Sequence, residues 1–145
     1  MTQEHKELLL KDLCARLPYG VIGKCKIDVF HGTYQTLKFD AVLYGIREDF
    51  LFVDPLIEDN AEQEFANEEF ANKEVADAID ILGFTPYLFP MSSMTEEQQA
   101  DLTKFVAHGI HGENILYDWY NKNHFDYRGL IEKGLAIDAT NLNIY

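Results

Sequence analysis

The spacing of apolar and polar residues changes several times along the chain, and each spacing is typical of a different element. From residue 3 to 17 leucines recur at helical intervals, which predicts an N-terminal helix capped by Thr2. Between residues 21 and 29 apolar and polar positions alternate, as in a half-buried strand. A second alternating run at 37–43 and a short apolar run at 50–53 predict two more strands. We expect these three strands to form an antiparallel meander.

The C-terminal part of the chain has the spacing of helices. Two overlapping capping boxes predict a helix that begins near residue 95 and ends at Gly109. We expect this helix to bury an apolar stripe formed by Leu102, Phe105 and Val106. Two shorter helices are expected around 115–120 and 130–134, followed by a loose tail at 135–145.

Between the meander and these helices, residues 79–90 fit one more strand and its exit. Pro90 cannot continue the strand in the centre of a sheet, because proline has no N–H to donate. The complete pattern therefore predicts an α+β fold, organised as a single domain over residues 1–145. Its parts are a small antiparallel meander sheet, an N-terminal helix and a helical C-terminal third.

Residues 58–78 differ in composition from the rest of the chain. They contain eight acidic residues and one basic residue, and a five-residue repeat begins at Glu64 and again at Glu69. Steps of five residues rotate a helical side chain by about 140° beyond a full turn, so the apolar residues cannot form one stripe. We interpret this acidic segment as an insertion, a helix whose apolar contact drifts around its axis.

Charge narrows the classes of function. The 145 residues include 25 acidic and 12 basic side chains, which give a net charge of -13. Such a charge is unfavourable for binding phosphate backbones, so we expect no direct binding of nucleic acid. Outside residues 58–78 there remain 17 acids and 11 bases, a balance that is ordinary for a small soluble domain.

Cysteine usage and hydropathy indicate where the protein works. Two cysteines, Cys14 and Cys25, are too few for a disulfide framework, and their spacing fits no zinc motif. The charged N-terminus lacks the apolar core of a signal peptide, and no apolar run has the length of a membrane span. We therefore expect a cytoplasmic protein with no membrane partner.

Histidines provide the nearest approach to a metal site. His108 and His111 are three residues apart, and His124 could join them in the fold. The neighbouring glycines place the pair in a loop that ends a helix, where the i,i+4 geometry of helical ligands is lost. We expect these histidines to interact with the helix terminus and to bind no metal. Since no catalytic motif is found either, we expect no cofactor.

Two of the three arginines lie close to tyrosines. Arg16 precedes Tyr19 by three residues, and Arg128 follows Tyr127 directly. A guanidinium stacks on aromatic rings and forms paired hydrogen bonds with carboxylates, so both pairs are candidates for anchoring a protein or anionic ligand. Trp119 is a further candidate anchor. The alternatives are structural: an ion pair of Arg128 with the aspartate two residues earlier, and core packing of the tryptophan.

Three segments of the chain are distinctive. They are Asp12-Leu-Cys-Ala-Arg-Leu-Pro-Tyr-Gly20, Pro86-Tyr-Leu-Phe-Pro-Met-Ser-Ser-Met-Thr-Glu96 and His124-Phe-Asp-Tyr-Arg-Gly-Leu-Ile-Glu-Lys-Gly134. They resemble segments of a family of small uncharacterised proteins from phages, prophages and mobile elements of gut anaerobic bacteria. That family usually has arginine in place of Phe89, and it has no assigned activity, cofactor or catalytic residue. The resemblance implies a mobile-element setting, in which accessory and host-interaction proteins are common.

These observations lead to two hypotheses without catalysis. The first is a cytoplasmic accessory protein of a phage or mobile element that acts through protein contacts. The second is an acidic mimic of nucleic acid, in which Glu64 and Glu69 supply charge and Phe65 and Phe70 supply anchors. A solvated helix face that keeps the protein soluble is the alternative interpretation of the same residues.

A third hypothesis is a small-molecule or metal-dependent enzyme with a site between the sheet and the C-terminal helices. Such an enzyme would bring together titratable side chains from the set His108, His111, His124 and Asp126. An interaction module would instead expose an aromatic patch without convergent titratable groups. The two outcomes distinguish the hypotheses in a structure.

Overall fold

The computed structural model describes four stretches of the chain: residues 2–30, 34–56, 78–107 and 113–145. The chain divides into two units, Met1–Pro86 and Tyr87–Tyr145. Within the described stretches there are three α-helices and six strands, which confirms the predicted α+β class. No helix in these stretches is long and apolar enough to cross a membrane.

The first unit begins with helix α1, Gln3–Arg16. Thr2 caps the helix, since its hydroxyl accepts a hydrogen bond from the N–H of His5 at 3.2 Å. A 3-10 turn, Leu17–Tyr19, follows and ends at Gly20, whose φ of +68° lies in the left-handed region that favours glycine. The predicted helix and its cap are therefore confirmed.

A sheet of five strands completes the first unit. The strands lie in the order β4-β3-β2-β1-β5, and every neighbouring pair is antiparallel. Their ranges are β1 Ile22–Phe30, β2 Tyr34–Arg47, β3 Phe50–Pro55, β4 Ala78–Asp80 and β5 Phe84–Leu88. This order agrees with the predicted meander only in part, because β5 returns to the free side of β1.

The core of the first unit lies on one face of this sheet. Along β2 every second side chain from Leu37 to Leu43 is buried, as the alternating pattern predicts. Val53 of β3 is the register partner of Leu43 and is also buried. Helix α1 contributes Leu9 and Leu13, both without exposed surface. These apolar side chains exclude water from the inner face of the sheet.

The single strand predicted at 79–90 is wrong in its extent. Strand β4 ends at Asp80, and a 3-10 turn at 81–83 separates it from β5. The carboxylate of Asp80 caps this turn by accepting a hydrogen bond from the N–H of Leu82 at 2.8 Å. The glycine that ends the turn lies close to β1, since an added Cβ would be 2.7 Å from the carbonyl oxygen of Lys26. A polar cap and a close backbone approach therefore interrupt the apolar run.

Gly23 is the point of closest packing between β1 and β5. It is the register partner of Pro86, and the ring of Phe84 lies over it. A Cβ added at Gly23 would lie 2.4 to 2.8 Å from three carbon atoms of that ring. Such a separation is shorter than any van der Waals contact, so only glycine leaves room for the buried phenylalanine.

The second unit begins within strand β5. Tyr87 and Leu88 pair in parallel with a short strand β6, Ile137–Asp138. The carbonyl of Leu88 also accepts a hydrogen bond from the N–H of Ala139 at 2.9 Å. The sequence predicts a purely antiparallel sheet and misses this parallel pair. A two-residue strand has too few positions to show an alternating pattern.

Two helices belong to the second unit, α2 (Glu96–Ala107) and α3 (Glu113–Lys122). One of the two predicted capping boxes begins α2. The N–H of Gln98 donates to Oγ1 of Thr95 at 3.2 Å, and Oε1 of Gln98 accepts from the N–H of Thr95 at 2.9 Å. The other capping box of the sequence starts at Ser93, whose hydroxyl instead donates to the carbonyl of Pro90 at 2.7 Å.

The buried stripe predicted for α2 is wrong. No side chain of this helix is buried: Leu102 and Phe105 are half-buried, and Val106 is 70% exposed. The helical spacing places the three residues on one face, but the second unit covers that face only in part. Helix α2 therefore presents apolar surface to solvent.

The third predicted helix does not form, and the tail at 135–145 is not loose. Residues 127–134 form successive turns, in which two glycines have φ of +69° and +68°. Left-handed positions of this kind interrupt a right-handed helix. The N–H of Leu135 donates to the carbonyl of Leu130 at 2.8 Å, and both Leu135 and Ala139 are buried. Backbone bonds and burial thus hold the tail.

Replacing Gly23 by alanine is expected to lower the free energy of unfolding by about 1–3 kcal/mol, because the new methyl group overlaps the buried ring of Phe84. Urea denaturation followed by far-UV circular dichroism measures this loss. Gly45→Ala is the matched control in β2, since its Cβ would lie 3.3 Å from the nearest atom of Phe52. Equal stability of the two variants would contradict the packing described for Gly23.

Candidate functional site

Four side chains around α3 form the most concentrated group of polar aromatic chemistry in the second unit. Tyr117 and Tyr120 are three residues apart and so are neighbours on one side of the helix. The ring of Tyr127 stacks on both, with centroid separations of 5.1 Å to Tyr117 and 5.4 Å to Tyr120. The guanidinium carbon of Arg128 lies 4.5 Å from the centroid of the Tyr127 ring. We call these four residues the tyrosine–arginine face.

Asp126 fixes the turn that presents Tyr127 and Arg128. Its carboxylate accepts hydrogen bonds from the N–H groups of Leu130 and Ile131, both at 2.8 Å. The side chain is buried, so these two donors replace the water that a carboxylate would otherwise bind. The turn therefore closes around the carboxylate and holds the ring and the guanidinium at its start.

Backbone and side-chain hydrogen bonds attach the same turn to its surroundings. The N–H of Asp126 donates to the carbonyl of Phe89 at 2.8 Å, and the N–H of Phe89 donates to the carbonyl of His124 at 2.9 Å. The hydroxyl of Tyr127 donates to Oδ1 of the buried Asn121 at 3.1 Å. Tyr127 is thus oriented by its hydroxyl as well as by its stacked neighbours.

Trp119 connects the tyrosine–arginine face to the interior of the second unit. Its ring stacks on Phe125 at a centroid separation of 5.6 Å with 12° between the planes. It also meets Tyr120 edge-on at 5.7 Å. Phe125 is 1% exposed and Trp119 is half-buried, so the tryptophan packs against the aromatic rings of the second unit.

His124 forms a second stacked pair with Tyr145. The two ring centroids are 3.7 Å apart and the planes differ by 11°. His124 is buried and has a φ of +57°, while the hydroxyl of Tyr145 donates to the carbonyl of Tyr87 at 2.9 Å. The imidazole therefore packs against the end of the chain.

Of the three histidines considered as metal ligands, the structure describes only His124. His108 and His111 lie outside the described residues, as do Glu64, Phe65, Glu69 and Phe70. In the described stretches no group of three His, Cys, Asp or Glu side chains is arranged to hold a metal ion. The hypotheses that use the undescribed residues rest on sequence alone.

Arg16 lies in the interior of the first unit, which contradicts its predicted place on an interaction surface. Its side chain has no exposed area, and its Nε donates to Oδ2 of Asp12 at 2.7 Å, where Asp12 is equally buried. A buried charge needs such a partner, because desolvation without pairing costs several kcal/mol. Positions 9, 12, 13 and 16 form one helical stripe, a signal of shared burial that the sequence already contains. Tyr19 is half-buried in the turn that follows.

Sequence reasoning missed Tyr117 and Asn121. Tyr117 is three residues before Tyr120 and four before Asn121 on a helix, a visible signal that it neighbours both side chains. The return of Tyr127 to this side is not visible in the sequence, because it depends on the hydrogen bonds of Asp126.

Burial affects the hydroxyl of one tyrosine of the face, Tyr120. Burial raises the pKa of Tyr120 above its ordinary value of 10.0, and the neighbouring Tyr117 raises this pKa further. Tyr120 therefore stays protonated at neutral pH. The face offers aromatic surface, hydroxyl groups and the charge of Arg128.

The buried thiol of the first unit is a poor nucleophile. Burial raises the pKa of Cys25 from its ordinary value of 9.0 to about 12, with a smaller contribution from Asp40. Since the thiolate is the reactive form, the thiol of Cys25 is inert at neutral pH. Cys14 is exposed on α1.

Comparison of the chain with protein-family models, curated proteins and solved structures finds no match. The residues of the two units are therefore the basis for a functional proposal.

Near pH 8 we expect a disulfide reagent to modify the exposed Cys14 quickly and the buried Cys25 only after unfolding. The folded state also raises the pKa of Cys25, so the stability due to the buried thiol is present below 9.0 and is lost as pH rises towards 12. Colorimetric thiol titration measures the reactivity of the two thiols. Urea denaturation across this pH range measures the loss of stability, with Cys25→Ala as control. Two thiols of equal reactivity in the native protein would contradict the burial of Cys25.

Proposed function

We propose that this chain is a non-enzymatic accessory protein that binds a protein partner through the tyrosine–arginine face of its second unit. One observation supports this proposal most strongly. Tyr117 is 41% exposed although its ring is stacked on Tyr127, which also packs against Arg128. Tyrosine and arginine are the residue types that most often dominate binding energy at protein interfaces.

The rigidity of the face favours binding. Asn121 accepts a hydrogen bond from the hydroxyl of Tyr127, Asp126 closes the turn that contains Tyr127, and the stacked rings restrain Tyr117 and Tyr120. A side chain that is already ordered loses little conformational entropy when a partner covers it. The entropic cost of association is therefore lower than it would be for a face with freely rotating side chains.

Helices α2 and α3 of the second unit each carry an exposed apolar residue. Ile115 on α3 is 43% exposed, and Val106 on α2 is 70% exposed. Apolar residues at such positions favour a partner that would cover them. A complementary partner would have apolar residues at the centre of its binding surface and a polar or acidic group that binds Arg128.

The structure supplies less support for the enzymatic hypothesis. Two of its four expected groups are described: the ring of His124 stacks on Tyr145, and the carboxylate of Asp126 accepts backbone hydrogen bonds. Each is engaged in holding the fold. The nucleic-acid mimic stays a second candidate, favoured by the eight acids and single base of residues 58–78.

The mobile-element setting is part of the proposal. The three segments that resemble the phage and prophage family include residues 124–134, which contain Asp126, Tyr127 and Arg128. We propose a cytoplasmic protein of such an element, whose partner is a protein of the element or its host.

Site-specific photocrosslinking in the cell tests the proposed site. We expect a photoreactive amino acid at position 117 to form one defined covalent adduct with a protein, because the partner covers Tyr117. The same group at the exposed Lys11 on α1 of the first unit is the control, and it should form no such adduct. For the partner identified by mass spectrometry, Arg128→Ala should weaken binding about tenfold or more, as at a strong interface anchor.

A different result would favour the acidic mimic. If neutralising Glu64 and Glu69 abolishes binding while Arg128→Ala leaves it unchanged, the partner binds the acidic segment. If positions 117 and 11 give the same adducts, or neither gives any, the tyrosine–arginine face is not an interface.

A further inference from the structure

The outer face of the sheet in the first unit has a cluster of lysines. Lys24 and Lys26 alternate along β1 with the buried Gly23 and Cys25, so both lysines point to the outer side. Lys38 on β2 is the register partner of Lys26 and is exposed on the same side. We call Lys24, Lys26 and Lys38 the lysine patch.

Two lysines of this patch, Lys26 and Lys38, occupy directly opposed positions on neighbouring strands. Like charges at directly opposed positions of an antiparallel pair destabilise a sheet. Lys24 has a carboxylate partner, since its Nζ is 3.4 Å from Oδ1 of Asp40. Among the described residues no carboxylate forms an ion pair with Lys26 or Lys38. The pair thus places two positive charges at opposed positions, on a chain whose net charge is strongly negative.

The same outer face becomes aromatic further along β2. Tyr44 is 54% exposed, and its ring lies 6.2 Å from that of Phe52 on β3. Phe50, two residues before Phe52, is 49% exposed. From Lys38 to Tyr44 the strand advances six residues, or about 20 Å. The lysine patch and this aromatic group therefore lie within the reach of one short extended segment.

We propose that the lysine patch and the aromatic group around Tyr44 form a second binding surface, whose occupant is an acidic polypeptide segment with an aromatic side chain. Carboxylates of the segment neutralise the opposed Lys26 and Lys38, and its aromatic ring packs on Tyr44 and Phe52. This surface belongs to the first unit and is additional to the tyrosine–arginine face.

A peptide suits this surface better than a nucleic acid. The nearby Asp28 and Asp40 are carboxylates on the same face, and Asp28 accepts a hydrogen bond from the hydroxyl of Thr36 at 2.6 Å. These anions would repel a continuous phosphate backbone, whereas a peptide places its charges singly. Three lysines are also few for a nucleic-acid site.

Fluorescence anisotropy with the full chain tests the second surface. The probe is a dye-labelled peptide of repeating Glu-Glu-Phe, which we expect to bind at low ionic strength and to be released by salt. Lys26→Gln with Lys38→Gln should weaken binding about tenfold. Lys11→Gln with Lys122→Gln makes the same change of charge at two exposed lysines elsewhere and should alter affinity by less than about twofold.

Three results would overturn this proposal. The first is absence of peptide binding, and the second is equal loss in the two double variants. The third is tighter binding of a single-stranded oligonucleotide that is lost in the Lys26 and Lys38 variant, since the occupant would then be a nucleic acid.

Thermal unfolding supplies a readout that does not depend on the probe. If Lys26 and Lys38 repel each other, Lys26→Gln should raise Tm by about 1–3 °C. A fall in Tm instead would show that residues of the chain itself neutralise the pair, and would contradict the proposed binding of an acidic segment by these two lysines. Lys11→Gln is the control and should leave Tm unchanged.

Discussion

The hydrogen bonds of one buried carboxylate, Asp126, determine how the second unit presents the tyrosine–arginine face. A carboxylate removed from water needs donors, and the nearest are the amides of Leu130 and Ile131. When the carboxylate accepts hydrogen bonds from both amides, it closes a turn over residues whose apolar spacing predicts a helix. That turn brings Tyr127 onto α3 and places Arg128 over its ring. The arrangement of the face thus follows from satisfying a single buried charge.

The sequence predicts those parts of the fold that depend on local pattern. Alternation in β1 and β2, helical spacing in α1 and the capping box at Thr95 depend on neighbours in sequence, and all appear in the structure. The division of residues 79–90 into two strands depends on contacts with β1, where Gly83 and Phe84 approach a distant backbone. Local pattern contains no information about such an approach.

The candidate site is predictable to a similar degree. The sequence identifies Tyr127, Arg128 and Trp119 as chemically interesting, and the structure places them around α3. The prediction for Arg16 is wrong, because an arginine can form a buried ion pair, as Arg16 does with Asp12, or act as an exposed interface anchor. Only burial separates these two uses of arginine. Burial in turn depends on which elements pack together.

Nuclear magnetic resonance on the Asp126→Ala variant tests most directly whether this carboxylate organises the face. In the wild-type protein we expect nuclear Overhauser effects between the ring protons of Tyr127 and Tyr117, and slow exchange of the Leu130 and Ile131 amides. In the variant these ring contacts should disappear and both amides should exchange quickly, while α3 stays helical. Unchanged ring contacts and unchanged amide exchange would contradict the central role of Asp126.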